Sequence, residues 1–223
     1  MKDWLIVHRY VAFFDLDDTI LATNSGRIMV EEARRNGLIS RNVIVQGLFL
    51  ALLYRIGLLD PHQIMKRMAL WLKGIPEDRF IHFTSGIFKK RIKPLIRDKA
   101  RDAIEYHKNL QGRTVILSAA TNYVCQPVKE YLTMDDIICS YMELQHGHFA
   151  GRVKGAYCYG DEKLRRVLAY CEDLKFDPAE AYYYADSISD LDVLQRVGHP
   201  VCVSPDKRLR EVAGQRGWEV AEW

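Results

Sequence analysis

The stretch VHRYVAFFDLDDT, Val7–Thr19, decides how the rest of this chain is interpreted. Its first eight residues, Val7–Phe14, are mostly apolar, β-branched or aromatic, which predicts a buried β-strand. The run ends abruptly in DLDDT, Asp15–Thr19, so two carboxylates two residues apart follow directly on the strand. The sequence therefore predicts acidic chemistry at the end of a buried strand.

Downstream of Pro94 the sequence alternates between helical and strand-like segments. The segments predicted as helices are 95–110, 161–173, 188–197 and 206–215, and those predicted as strands are 114–117, 137–139, 181–185 and 200–203. A hairpin is predicted over 141–153, with its turn at His146-Gly147. This alternation predicts an α/β fold, a parallel sheet with helices on both faces.

Between the first strand and this region lies a segment without strand-like alternation. Its pattern is helical over 25–88, which predicts an all-helical insertion. We therefore predict an α/β catalytic core over 1–20 and 94–223 and a helical cap domain over 21–93. The insertion is basic: residues 21–97 carry 14 Lys and Arg against 5 Asp and Glu, whereas the remainder carries 18 against 24. This excess is interpreted either as solvated helix faces or as a field that steers anionic substrates to the cleft.

Composition excludes several classes of protein. With 223 residues, 48% of them hydrophobic, the chain has enough apolar material for a core, so disorder is excluded. Five cysteines without a CxxC pair argue against a disulfide scaffold or a zinc ribbon and favour a reducing compartment. The first residues lack the apolar run of a signal peptide, and no uninterrupted apolar stretch of 18 residues follows. We expect a cytoplasmic protein.

Polar side chains cluster where the predicted parallel strands end, at the edge where open α/β sheets bind ligands. They are two acids after the first strand, a hydroxyl after the second, a lysine opening a later helix and two acids after strand 181–185: Asp15, Asp17, Ser118, Lys163, Asp186 and Asp190. Four carboxylates in one crevice repel one another unless positive charge lies among them. Carboxylate oxygens are ligands of Mg²⁺, and a lysine with a hydroxyl nearby suits a phosphoryl group.

These residue types also indicate a mechanism. Asp15, rigidly held at a strand end, is the candidate nucleophile that attacks phosphorus and forms an aspartyl-phosphate. Asp17 points the same way if the backbone stays extended, and it is the candidate general acid and base. Mg²⁺, Lys163 and the Ser118 hydroxyl would offset charge on the transferring oxygens.

Four segments, in order, resemble the motifs of the haloacid dehalogenase superfamily of phosphatases. They are FFDLDDT at 13–19, LSAA at 117–120, Lys163 in GDEK at 160–163, and ADSISD at 185–190. The tail, Val201–Arg210 followed by Gly217-Trp218, is similar to the phosphoserine-phosphatase-like branch, whose helical cap lies between the first two motifs. The resemblance spans nearly the whole chain. It implies a Mg²⁺-dependent phosphomonoesterase with a Rossmann-like core and an inserted helical cap.

The resemblance also implies roles for individual residues. By motif position, the metal is held by the Asp15 side chain, the Asp17 backbone carbonyl and Asp186, with Asp190 supporting or ligating. Phosphate is bound by Ser118, Ala119 and Lys163.

The residues of the predicted cap that would contact the substrate differ from those of phosphoserine phosphatases. Phosphoserine phosphatases carry a carboxylate early in the cap, where this chain has Asn24, and their cap arginine has no clear counterpart, although Arg67 lies near. These departures argue against phosphoserine as the substrate. We expect a small phosphorylated metabolite, selected by Asn24, Arg27 and Arg67.

Other interpretations remain open at this point. The apolar run Val43–Tyr54 is interpreted as a buried cap helix, or as a surface that rests on anionic membrane and presents a lipid-headgroup phosphate. Transfer of the phosphoryl group to an acceptor other than water, a phospho-accepting signalling domain, and an inactive binding protein are further alternatives. No nucleic-acid motif is present, so we expect no nucleic-acid partner. His146 and His148 are interpreted as an exposed turn, and Cys125 and Cys158 as small buried side chains.

Overall fold

The computed structural model describes residues 8–37, 66–67 and 69–223. The apolar run Val43–Tyr54 lies outside the described residues, as does Val7 at the start of the predicted first strand.

A six-stranded parallel sheet forms the centre of the described fold, in the order β3-β2-β1-β6-β7-β8. Its strands are β1 Val11–Phe14, β2 Arg113–Thr121, β3 Asp136–Ser140, β6 Tyr182–Ala185, β7 His199–Val203 and β8 Glu219–Ala221. Two more strands, β4 Met142–Gln145 and β5 His148–Val153, form an antiparallel hairpin. The predicted α/β, Rossmann-like parallel sheet is confirmed.

Helices cover both faces of this sheet. In chain order they are α1 Ser25–Arg35, α2 Glu77–Ile87, α3 Asp98–Asn109, α4 Asn122–Leu132, α5 Asp161–Leu174, α6 Leu191–Leu194 and α7 Lys207–Arg216. Alternate residues of β1 enter opposite hydrophobic cores, Ala12 and Phe14 one core and Val11 and Phe13 the other. Because strand side chains alternate between faces, a strand buried on both sides must be apolar throughout, as β1 is.

The element bounds differ from the sequence prediction in four places. β1 is shorter than Val7–Phe14, because its pairing with β2 begins at Val11 opposite Arg113. β2 continues past Leu117 to Thr121, with a register shift before Thr121 pairs with Ser140. The predicted helix 188–197 is instead a 3₁₀ turn at Ile188–Asp190 followed by the short α6. Finally, β8 was not predicted, because its three residues provide little period-2 signal.

The two connections of the inserted segment lie side by side. Leu21 and Ile96 form an antiparallel bridge, and the amide of Ala22 donates to the carbonyl of Leu95 at 2.8 Å. The insertion thus leaves and re-enters the sheet region at nearly one point, and its described elements α1 and α2 are helical. The division into a core over 1–20 and 94–223 and a cap over 21–93 stays a prediction.

An aromatic cluster connects α2 to α4 and the hairpin. The rings of Phe80, Tyr123 and Phe149 are 5.1–5.4 Å apart between centroids, each pair in an edge-to-face arrangement. The Tyr123 hydroxyl donates to Glu77 Oε1 at 2.6 Å. Edge-to-face pairs at this spacing add stability beyond their buried area, so this cluster stabilises the packing of α2 against α4 and the hairpin.

Several smaller expectations are met in the described residues. Cys125 and Cys158 are buried and free, while His146 lies in the exposed hairpin turn and His148 directly follows it. The turn residues His146 and Gly147 both have positive φ, 50° and 75°, as a tight two-residue hairpin turn requires.

In the part of the chain that the structure describes, no helix has the length and apolarity needed to cross a membrane.

A buried histidine predicts acid sensitivity of the fold. His107 on α3 is fully buried; its Nδ1 and Nε2 each lie 2.9 Å from a tyrosine hydroxyl, of Tyr10 and Tyr184. Burial, with a smaller contribution from His199, lowers the pKa of His107 to about 4. As the pH falls, the His107 imidazole is therefore protonated at about pH 6.5 in the unfolded chain, but only at about pH 4 in the folded protein. We expect the free energy of unfolding to fall by up to about 3 kcal/mol over that window.

Urea denaturation at pH 7 and pH 4.5 measures this loss. In His107→Phe the difference between the two pH values is expected to shrink, while in the exposed His82→Phe it should match the wild type. An unchanged pH dependence in His107→Phe would contradict the assignment.

Candidate active site

The carboxyl edge of the sheet brings the predicted polar residues together. Asp15 directly follows β1, Asp186 directly follows β6, and Lys163 lies in the first turn of α5. Burial is the largest effect on the pKa of Asp15 and raises it. Lys163 lowers this pKa, and the nearby carboxylates of Asp190, Asp186 and Asp17 each raise it further. The four acids thus share one electrostatic field at this edge, as the sequence predicts.

Lys163 occupies the centre of the cluster. Its Nζ donates to Asp15 Oδ1 at 2.9 Å and to Asp190 Oδ1 at 2.6 Å, and all three side chains are at least 90% buried. Burial by itself lowers the pKa of Lys163, but the two carboxylates outweigh it and raise that pKa well above its usual value. A charged ammonium is therefore held directly against the candidate nucleophile.

Asp17 faces the start of α1 instead. The backbone is extended at Asp15 and Asp17 and turns at Asp18, where φ is 55°. Asp17 Oδ1 accepts the amide of Ser25 at 2.8 Å, and Oδ2 accepts Asn24 Nδ2 at 3.3 Å. Burial raises the pKa of Asp17, and the hydrogen bonds from Ser25 oppose that rise. A raised carboxyl pKa suits a group that must both give and take a proton near neutrality.

Asp186 has less positive charge around it than Asp15. Its Oδ1 accepts the Thr19 hydroxyl at 3.2 Å. Burial, with the nearby carboxylates of Asp190 and Asp18, raises the pKa of Asp186 to about 7. The site therefore has an unbalanced negative charge that a cation would stabilise.

The predicted phosphate-binding residues of β2 lie at the same edge. The Ser118 hydroxyl is buried and accepts a hydrogen bond from the amide of Ala120 at 3.2 Å. Ala119 accepts the Ser140 hydroxyl through its carbonyl at 2.9 Å. Ser118 lies within β2 rather than after it, because the strand continues to Thr121.

The three predicted substrate residues are not brought together. Asn24 caps α1, where its side chain accepts the amide of Arg27 and donates to Asp17. The guanidinium of Arg27 is exposed and pairs with Glu31 at 3.2 Å, and Arg67 is exposed as well. Their selection of the substrate stays a prediction.

Two contributors to the site were not predicted. Tyr183 donates its hydroxyl to Asp190 Oδ1 at 2.8 Å and accepts Lys163 Nζ at 3.1 Å. Ser25 supplies the amide that orients Asp17. Three consecutive tyrosines, Tyr182–Tyr184, give no indication of which one faces the lysine, because that depends on the strand register.

A cavity of about 300 Å³ opens beside these residues. Asp17, Asn24 and Ser25 line it on the α1 side, and Ala119 and Thr121 on the β2 side. The cavity thus begins at the candidate general acid and base and at the segment expected to bind phosphate.

The carboxyl edge of the sheet thus combines a buried aspartate, a charged lysine and further carboxylates beside a cavity. This arrangement is typical of α/β proteins that act on phosphoryl groups. The family model of haloacid dehalogenase-like hydrolases matches residues 12–195. The chain belongs to the haloacid dehalogenase-like hydrolase family and is a phosphatase of that family.

Three similar proteins extend along nearly the whole chain. The Streptomyces azureus protein named "Inhibition of morphological differentiation protein" is 30% identical over 220 residues, which is 96% of this chain and 79% of that one. A phosphoserine phosphatase of Mycobacterium tuberculosis is 29% identical over 224 residues, covering 95% of this chain and 70% of its own. The solved structure of a phosphoserine phosphatase with a phospho-aspartyl intermediate analogue shares the fold at a TM-score of 0.71 and 16% identity, covering 97% and 94% of the two chains.

Proposed function

We propose that the protein is a Mg²⁺-dependent phosphomonoesterase that works through an aspartyl-phosphate on Asp15. The observation that carries this proposal is the pairing of buried Asp15 with Lys163 at 2.9 Å, next to three further carboxylates. A phospho-aspartyl analogue is described for a phosphatase of the same fold, which supports the covalent route.

In the first step, an Asp15 carboxylate oxygen attacks phosphorus and a new O–P bond forms. The bond from phosphorus to the leaving oxygen breaks, and Asp17 donates its proton to that oxygen. Lys163 offsets the negative charge that the phosphoryl oxygens bring, and its contact with Asp190 holds the ammonium in place.

In the second step, Asp17 removes a proton from water, whose oxygen attacks phosphorus. The O–P bond to Asp15 breaks, which restores the Asp15 carboxylate and releases phosphate. Two hydrogen bonds fix the Asp17 carboxylate for both proton transfers, one from the Ser25 amide and one from the Asn24 side chain.

The residues present fit a magnesium ion. Among the described residues, no three His, Cys, Asp or Glu side chains converge into a complete metal cage. Mg²⁺ does not need one, since it binds through one or two carboxylates and keeps water and phosphate as its other ligands. Asp15, the Asp17 carbonyl and Asp186 would hold it, while Asp190 is engaged by Lys163 and Tyr183. When bound, the ion neutralises charge on the transferring phosphoryl group.

Metal removal tests this part of the proposal. Chelation by EDTA is expected to lower phosphate release at least about 100-fold, because the unbalanced carboxylates then repel the substrate anion. Excess Mg²⁺ should restore the rate, whereas Ca²⁺ should not, because it favours longer bonds and more ligands. EDTA saturated with Mg²⁺ beforehand is the control, and a full rate in free EDTA would exclude the metal requirement.

Analysis of the products distinguishes hydrolysis from phosphoryl transfer to another acceptor and from a phospho-accepting signalling domain. Hydrolysis releases one inorganic phosphate for each ester consumed, whereas transfer to another acceptor releases less. A signalling domain would stop after one phosphoryl group per chain.

A further inference from the structure

The wall of the 300 Å³ cavity beside Asp17 is apolar where it leads away from the sheet edge. Two inserted helices and the segment that precedes the second of them supply this part of the wall. The residues are Met29, Val30 and Ala33 of α1, Trp71, and Phe80 and Phe83 of α2. We name these six residues the apolar wall.

The described residues that line this cavity carry little charge. Among the described residues that line it, Asp17 is the single charged one, and both its carboxylate oxygens already accept hydrogen bonds. Two basic side chains that flank the inserted helices pair with acids: Arg27 with Glu31, and Arg91 with Glu31 and Glu32.

This wall bears directly on the leaving group of the substrate. In the reaction proposed above, Asp17 protonates the ester oxygen, and Asp17 lines the cavity. The rest of the ester is therefore expected to extend into the cavity. Among the described lining residues, a carboxylate there would lose its hydration without gaining a cation. An ammonium would meet only Asp17, whose two carboxylate oxygens already accept hydrogen bonds. Apolar carbon would gain from leaving water.

We propose that the enzyme selects phosphomonoesters whose leaving group is apolar and uncharged, and that the apolar wall binds that group. This inference rests on the phosphatase activity proposed above. The volume corresponds to on the order of ten non-hydrogen atoms, taking about 30 Å³ for a water-sized group. Both a small soluble ester and the start of a lipid chain have this chemistry.

A series of unbranched alkyl phosphates, from ethyl to dodecyl, tests the proposal on the wild-type protein. The intrinsic reactivity of the leaving alcohol hardly changes along the series, so kcat/KM reports contact with the wall. We expect an increase of about threefold per methylene, hence about 80-fold from ethyl to hexyl phosphate. 2-Aminoethyl phosphate, which matches propyl phosphate in size but carries a charge, should be at least about tenfold poorer than propyl phosphate.

The length at which the increase stops identifies the source of the ester. A plateau at about eight to ten carbons is expected for a small soluble substrate that fills the cavity. If kcat/KM instead kept rising up to dodecyl phosphate and for long-chain phosphates in vesicles, the substrate would be a lipid phosphate whose chain leaves the cavity at its far end. Both results support apolar selection.

The contrary outcomes are distinct. Turnover that does not depend on chain length, or faster turnover of phosphoserine than of hexyl phosphate, would overturn the inference and leave the phosphatase intact. If the protein released phosphate from none of these esters and not from acetyl phosphate either, the proposed function itself would be overturned.

A matched pair of variants on α2 locates the effect. Phe83→Asp places a carboxylate in the apolar wall, whereas Ile81→Asp places one on the same helix at a side chain that is 47% exposed. The ratio of kcat/KM for hexyl over ethyl phosphate should fall at least about tenfold in the first and keep its wild-type value in the second. Should Phe83→Asp fail to fold, the nearly isosteric Val30→Thr is expected to lower the ratio about threefold. An unchanged ratio in a folded wall variant would overturn the inference.

Discussion

Asp15→Asn is expected to lower kcat at least about 10³-fold while the protein stays folded. The amide is the same size as the carboxylate and still accepts the Lys163 ammonium, but its oxygen is a far weaker nucleophile. The measurement is phosphate release from hexyl phosphate, together with the urea midpoint, which separates loss of chemistry from loss of fold.

Asp18→Asn is the matched control for this substitution. It makes the same change three residues further on, at a position with φ of 55°, which asparagine tolerates. We expect its rate to stay within a fewfold of the wild type. A wild-type rate in Asp15→Asn would remove Asp15 from the reaction, and a hydroxylamine-sensitive phosphoprotein formed by the wild type but not by Asp15→Asn would support the covalent step.

Lys163→Met is expected to reduce both activity and stability. Methionine approximates the length of the lysine but removes the charge that balances Asp15 and Asp190. Removing one partner of a buried ion pair leaves an uncompensated charge, which costs about 3–5 kcal/mol of unfolding free energy. The rate should fall about 100-fold or more, because the phosphoryl oxygens lose a direct cation.

A second substitution separates these two effects. Adding Asp190→Asn to Lys163→Met removes one of the unbalanced charges, so part of the stability should return while the rate stays low. Lys154→Met, at an exposed lysine, is the control for the loss of a positive charge. Recovery of rate together with stability in the double variant would show that Lys163 acts through the fold alone.

Which face of α1 meets the cavity is visible only in the structure. The guanidinium of Arg27, one of the predicted substrate residues, points outward to Glu31. The same helix turns Met29 and Val30 towards the cavity. Which helix face meets the cavity depends on how α1 packs against α2, and a single helix carries both an apolar and a polar stripe.

The amino-acid sequence by itself determined the class of fold and most of the candidate site. A mostly apolar strand predicts burial on both faces, and alternating helices and strands predict a parallel sheet. The carboxyl ends of parallel strands share one edge, so Asp15, Asp186 and Ser118 are expected there. Local sequence is sufficient there, because strand direction alone places these side chains.

Only the tertiary structure decided what depends on contacts between distant segments. The register of β6 places Tyr183, rather than Tyr182 or Tyr184, against Lys163, and a slip of one residue would reverse its direction. The amide of Ser25 meets Asp17, and the inserted helices enclose the apolar cavity beside it. Such contacts follow from which surfaces pack together across the fold, and the one-dimensional pattern of each segment is compatible with several packings.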